Sequence, residues 1–209
     1  MSTSLSAAMR LGSRAEHEQA EDSPWVTELM AGRVDRRGYA DYLLRLRTVY
    51  GAMETVIRAH ADDPAVAAVH DPGLERVPAL DADLDHWLPG GARDVDSRAA
   101  AAYRDRLEAA AAWGPLLAAH HYTRYLGDLS GGQAIGRALD RTFALDGAGV
   151  AFYDFPAIPK PKPYKDAYRA RLDALDLSPD ESTRVVDEVR VAFRLNQALF
   201  TELADSLPA

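Results

Sequence analysis

A chain of 209 residues, 47% of them hydrophobic, is long enough for one domain with a substantial core and short for two. Its formal net charge of −8, from 24 Lys and Arg against 32 Asp and Glu, argues against nucleic acid or an anionic membrane as the main partner. It has no cysteine, which removes disulfides, thiolate metal ligands, iron–sulfur clusters and cysteine nucleophiles together.

Almost every segment reads as helix. Ser4 to Asp22 forms a first helix, stopped before Ser23-Pro24 because the residue ahead of a proline avoids helical dihedrals. Trp25 to Ala31 is a short second one. Asp35 caps a long third helix, from about Arg37 to Ala61, in which Tyr39, Tyr42, Leu43, Leu46, Val49, Tyr50, Met53 and Ile57 recur at three- and four-residue steps. Pro64, Pro72 and Pro78 punctuate short pieces up to Leu88, and Pro89-Gly90-Gly91 is a loop. An alanine-rich helix spans about Ser97 to Ala112. Trp113-Gly114-Pro115 opens a long helix that glycines interrupt and that ends near Asp146-Gly147. Val150 to Phe155 is the one segment that reads as extended. Pro156, Pro159, Pro161 and Pro163 mark an irregular connector before a helix from Tyr164 to Leu175. Ser178-Pro-Asp-Glu181 spells a capping box and opens a last helix to about Ser206. The prediction is an all-α, multi-helix single domain over residues 1–209, with short flexible ends at about 1–5 and 205–209. Met1 to Gly12 has no long apolar core and no run of about 18 apolar residues occurs, so a soluble, cytoplasmic protein is expected.

The run Tyr122-Thr-Arg-Tyr-Leu-Gly-Asp-Leu-Ser-Gly-Gly-Gln133 is the least ordinary stretch. Gly127, Gly131 and Gly132, with Gly136 a turn later, each cost a helix interior roughly 1 kcal/mol against alanine. Close approach of the backbone to another helix or to a flat ligand is what offsets such a cost. Gly127 and Gly131 share a face, as a packing seam requires, while Gly132 and Gly136 share a neighbouring one, wider than one seam needs. Asp128 lies inside the patch, where an unpaired carboxylate is expensive in a dry seam. Arg124 sits four residues before it on the same face. From these residues alone, seam and ligand wall both stay open.

His17 has Arg10 seven residues before it, Arg14 three before and Glu21 four after. It is either a surface histidine on a charged helix or a metal ligand in a site whose other ligand is anionic. His60, His70 and His86 read as solvated or loop-proximal. His120 and His121 read as packing or surface residues, because adjacent helical side chains diverge by about 100° and do not readily share a metal. Lys162, Lys165 and Arg169 make either a solvated basic face or a clamp for carboxylates, to which arginine's forked donors are suited. Phe193 and Phe200, seven apart, read as core.

Together these places resemble the haem (heme) oxygenases, most closely the soluble bacterial, biliverdin-producing branch. Ala15 to Glu21 looks like the family's proximal-ligand motif, and Tyr122 to Gln133 is similar to its distal-helix signature almost letter for letter. Tyr164 to Arg169 and Ala192 to Phe200 resemble two later blocks, so the resemblance runs from about residue 8 to 204 in the family's order. It implies a fold in which haem b is sandwiched between an N-terminal proximal helix and a glycine-kinked distal helix. His17 would ligate the iron and Glu21 would fix the imidazole. Gly127 and Gly131 would lie against the distal face. Asp128, with Arg124, Tyr50 and Asn196, would hold an ordered water chain that delivers protons there. Arg10, Lys165 and Arg169, with Tyr122 beside them, would hold the propionates; Arg10 stands where the family pattern has lysine. Phe193 and Phe200 would line or back the pocket.

The implied reaction is oxidative cleavage of haem to biliverdin, CO and ferrous iron, for haem turnover or iron acquisition. Haem is both substrate and cofactor. O₂ and electrons from an external reductase or ferredoxin would be consumed, and the α-meso carbon is the expected target. The expected partners are haem and an electron-donor protein, with no nucleic acid and no membrane, and the chain is expected to act as a monomer. Two other classes compete. One is a haem carrier, which gains nothing from a wet distal pocket. The other is a thiaminase-like or carboxylate-bridged di-iron enzyme, but the chain lacks the cysteine the first would use and the Glu-x-x-His pairs the second needs.

Overall fold

The computed structural model describes residues 3–205, which form eleven α-helices and no strand. The first expected helix is two: α1 (Leu5–Gly12) and α2 (Arg14–Glu21). They part at Ser13, whose backbone leaves the helical region (φ −111°, ψ 12°) while its buried hydroxyl turns back to the Met9 carbonyl at 2.8 Å. A serine that offers its own carbonyl-seeking hydroxyl competes with helix continuation. Helix α3 (Pro24–Met30) is short, and α4 (Arg36–Ala59) begins where the Asp35 carboxylate accepts the Gly38 N–H at 2.7 Å. Its predicted apolar stripe is buried from Tyr39 to Ile57.

Helices α5 (Pro64–Val69), α6 (Val77–Trp87) and α7 (Arg98–Ala110) follow, α6 and α7 both packing on α4. The long glycine-bearing element is α8 (Gly114–Gly127), one wide π-helical turn over Asp128–Gly132, and α9 (Gln133–Phe143). The segment expected to be extended is instead a single 3₁₀ turn, Ala151–Tyr153. Its N–H groups find a buried carboxylate rather than a strand partner: Asp83 accepts from Ala151 N and Phe152 N at 2.7 and 2.8 Å. Pro161 and Pro163, expected in the connector, lie in the first turn of α10 (Pro161–Asp173), where a missing N–H costs nothing. The capping box of α11 (Pro179–Ala204) forms as read, with Ser178 and Glu181 bonding reciprocally.

Helix α11 is the spine: it packs on α8 and reaches α1, α2, α3 and α7. Of the ends expected to be loose, residues 1, 2 and 206–209 lie outside the described residues, whereas Leu5 opens α1 and is buried.

Candidate active site

Helix α8 runs through the interior, and every residue from Leu117 to Leu126 is buried. Buried polar groups must find partners, and this requirement organises the centre of the molecule. His120 meets Glu188 of α11 through Nε2 at 2.7 Å, and Glu188 is also gripped by both arms of Arg106 from α7. His121 bonds the Tyr168 hydroxyl through Nδ1 at 2.8 Å. Both histidines are thus packing residues, as expected. Burial holds His121 neutral, its pKa lowered to about 3, while the hydrogen bonds from His120 and Arg106 overcome burial to bring Glu188 down to about 2.

These two shifts have one sign. Glu188 contributes stability above the ordinary glutamate value of 4.5 that is lost as pH falls toward 2, and His121 contributes stability lost between 6.5 and 3. Glu188→Gln should therefore flatten the acid limb of the stability profile, read by urea melts at pH 5, 4 and 3. A variant that loses stability on acidification as steeply as the parent would remove Glu188 from that role.

One turn beyond His120 lies Arg124. Its Nη1 donates to Asn196 Oδ1 of α11 at 2.6 Å and its Nε to the Tyr50 hydroxyl of α4 at 3.1 Å. Tyr50 in turn donates to Asp128 Oδ2. The four residues that the resemblance groups as a network are therefore joined in one chain of bonds, Asn196–Arg124–Tyr50–Asp128. Burial pushes Tyr50 well above its ordinary value and Tyr42 up to about 12. Burial alone would lower Arg124, but Tyr50 and Asp128 beside it hold the guanidinium above its ordinary range. Burial raises Asp128 above the usual carboxylate range, against the opposing pull of Arg124 and Tyr50. A carboxyl so poised can hold a proton and pass it on.

The glycines divide by face. Gly136 and Gly132 are a seam: a Cβ would stand 2.8 Å from Tyr153 Cβ at Gly136 and 3.3 Å from Tyr153 Cδ1 at Gly132. Gly127 and Gly131 are not, because a Cβ on either would meet no atom within 4 Å. They present bare, exposed backbone beside Asp128.

The proximal side comes from α2. His17 is exposed, and its Nδ1 lies 3.5 Å from Glu21 Oε2, one turn on. Phe193 of α11 meets the imidazole edge-on, with ring centroids 5.4 Å apart. Phe193 and Asn196 are one turn apart on α11, so His17 and the Arg124 network flank the same stretch of that helix. Phe200 stacks on Trp25 at 5.9 Å and is core-backing.

At the third place, Arg10 and Arg169 line one pocket of about 320 Å³ with Ser6 and Ala7. The buried Tyr122 hydroxyl is raised by burial and feels both arginines. Lys165 Nζ donates to Ser130 Oγ at 2.8 Å, which ties α10 to the glycine turn; burial and Arg169 hold its pKa down. Lys162 points away, exposed and paired with Asp166 at 3.0 Å. Ser130, Tyr42 and Tyr153 were not read as site residues. Tyr42 lay within the periodic stripe of α4, and nothing local distinguishes Ser130 or Tyr153.

A family model described as Heme oxygenase matches residues 3–202. The chain belongs to the heme oxygenase family. Heme oxygenase 1 of Synechocystis sp. is 36% identical over 99% of this chain and 88% of that protein. The crystal structure of heme oxygenase-1 from that cyanobacterium in complex with heme has a TM-score of 0.93 at 35% identity, over 98% of this chain and 94% of that one. Heme oxygenase-2 from the same source, in complex with heme and NO, gives 0.93 at 34% identity, over 98% and 87%.

The residues of this heme oxygenase family member suit a porphyrin. A flat ring would meet a wall without side chains at Gly127 and Gly131, iron would meet an exposed imidazole at His17, and two carboxylates would meet Arg10 and Arg169 lining one pocket. Among the described residues no group of three or more His, Cys, Asp or Glu is arranged to hold a metal ion. Among these residues no helix is long and apolar enough to cross a membrane.

Proposed function

We propose that the chain opens haem oxidatively to biliverdin, CO and ferrous iron, with the ring lying between His17 and the backbone of Gly127 and Gly131. The observation that carries this reading is the open face of those two glycines next to the half-buried Asp128, whose carboxyl is bonded by Tyr50. When bound, haem supplies both the substrate ring and the iron that activates O₂.

The chain's own residues do the rest. His17 holds the iron, and Glu21 accepts its other N–H and fixes the ring plane. Arg10, Lys165 and Arg169, with Tyr122, grip the propionates and so choose which edge of the ring faces the distal network; α-meso cleavage is the orientation read from these residues. Phe193 packs the proximal edge. Asp128, held by Tyr50, Arg124 and Asn196, orders water on the distal side and moves protons through it. A network of water and carboxyl delivers protons without a distal imidazole, which would favour peroxidase-type O–O cleavage. Electrons come from an external reductase or ferredoxin, and the protein acts as a cytoplasmic monomer.

Titration with hemin should give a Soret band with a one-to-one end point. In His17→Ala the histidine-ligated character of that spectrum should vanish, and an unchanged spectrum would remove His17 as ligand. Adding reductase, NADPH and O₂ separates enzyme from carrier: the enzyme's Soret band decays as biliverdin accumulates, whereas a carrier's persists.

A further inference from the structure

We propose that Gln197 is a positioning residue for the proximal histidine, a role that rests on the reading of His17 as ligand. Helix α2 has little of its own to hold it down: between Arg14 and Glu21 only Ala20 is buried. Eight residues with so small an apolar face do not make a stable helix alone.

Besides the Phe193 ring against His17, what seats α2 is polar and comes from α11. Gln197 Nε2 donates to the Glu16 carbonyl oxygen at 2.8 Å, immediately before His17, with Gln19 Oε1 a longer second acceptor at 3.5 Å. Two turns earlier on α11, Arg190 Nε donates to the Gly12 carbonyl at 2.7 Å. The helix passes so close there that a Cβ on Gly12 would meet Val186 Cγ1 at 2.5 Å. Arg190 and Arg194 also face Glu16 Oε1, at 3.9 and 3.7 Å, but as long and partly solvated pairs they hold weakly. Among the described residues, the bond from Gln197 is therefore the one short hydrogen bond from α11 to α2 at the level of the imidazole.

Gln197 directly follows Asn196. Neighbouring side chains on a helix diverge by about 100°, so Asn196 turns to Arg124 and Gln197 turns to α2. A single step of α11 thus grips both walls of the slot. Because Gln197 bonds main chain, it sets where the α2 backbone sits, and the height of the imidazole above the ring follows from that.

The test is Gln197→Glu, which keeps the size but offers an acceptor to a carbonyl. Without haem, the amides of residues 14–21 should exchange with deuterium roughly tenfold faster, the size expected for one lost hydrogen bond, while those of α8 stay as they were. With hemin, the affinity should weaken several-fold and the iron–histidine stretching band of the ferrous complex should shift. Gln197→Lys, whose ammonium can donate to the same oxygen, should restore both. Unchanged exchange in α2, or faster exchange with an unmoved iron–histidine band, would overturn the proposal alone. An unchanged hemin spectrum in His17→Ala would bring down the ligand reading and this inference with it.

Discussion

In the Asp128→Ala variant hemin will still bind one to one, but biliverdin formation will fall by roughly 100-fold or more, the scale on which a positioned proton-transfer group contributes. The reasoning begins with the cost of having Asp128 where it is. Burial raises its pKa, so the ionised form is disfavoured in the folded protein, and stability falls as pH rises from the ordinary aspartate value of 3.8 through the raised one. A side chain kept at such a cost, with Tyr50 and through it Arg124 and Asn196 arranged around it, is the kind of group the proposed proton delivery needs. Two variants divide the role. Asp128→Asn keeps the volume and an acceptor for Tyr50 but cannot titrate, so it should be as impaired as alanine while melting higher than the parent. Normal biliverdin yield in either variant, measured by chromatography after reductase-driven turnover, would refute the assignment.

Gly127→Ala will make the protein more stable and less active. Gly127 has ordinary helical dihedrals (φ −63°, ψ −51°), and a methyl there touches nothing within 4 Å. Alanine is then favoured over glycine by about 0.5–1 kcal/mol, which raises Tm by roughly 1–4 °C in a chain of this size. On the proposed reading the same methyl would stand on the surface facing the ring, crowd the distal face and lower the biliverdin yield. Gly136→Ala is the matched control. Its methyl would collide with Tyr153 at 2.8 Å, and it should lower Tm. If the two variants shifted Tm in the same direction, the division of the glycines into slot and seam would be wrong.

The helices were legible because their signals are local. Asp35 and the Ser178–Glu181 box cap where they were read to, and the α4 stripe is buried along its length. The misreadings came where distant partners decide. Nothing near Val150 says that Asp83 will take the N–H groups of Ala151 and Phe152 and wind them into a turn. Nothing near Ser13 says that its hydroxyl will turn inward and split one helix into two. At the site, the family resemblance implied that Asp128, Arg124, Tyr50 and Asn196 act together, and they do form one chain of bonds. Glycine content alone did not separate two faces with opposite tasks. That required Tyr153, seventeen residues after Gly136, whose ring fills one face and leaves the other bare.

That tyrosine makes an unremarkable-looking connector intolerant of change. Loops rich in proline between two helices usually absorb added or missing residues without harm. Here the segment around Ala151–Tyr153 is nailed to α6 through Asp83, and its aromatic ring props up Gly132 and Gly136 from behind. One residue inserted between Val150 and Tyr153 would therefore shift the Gly132–Gly136 stretch and, with it, the neighbouring backbone of Gly127 and Gly131 on which the proposed porphyrin site depends.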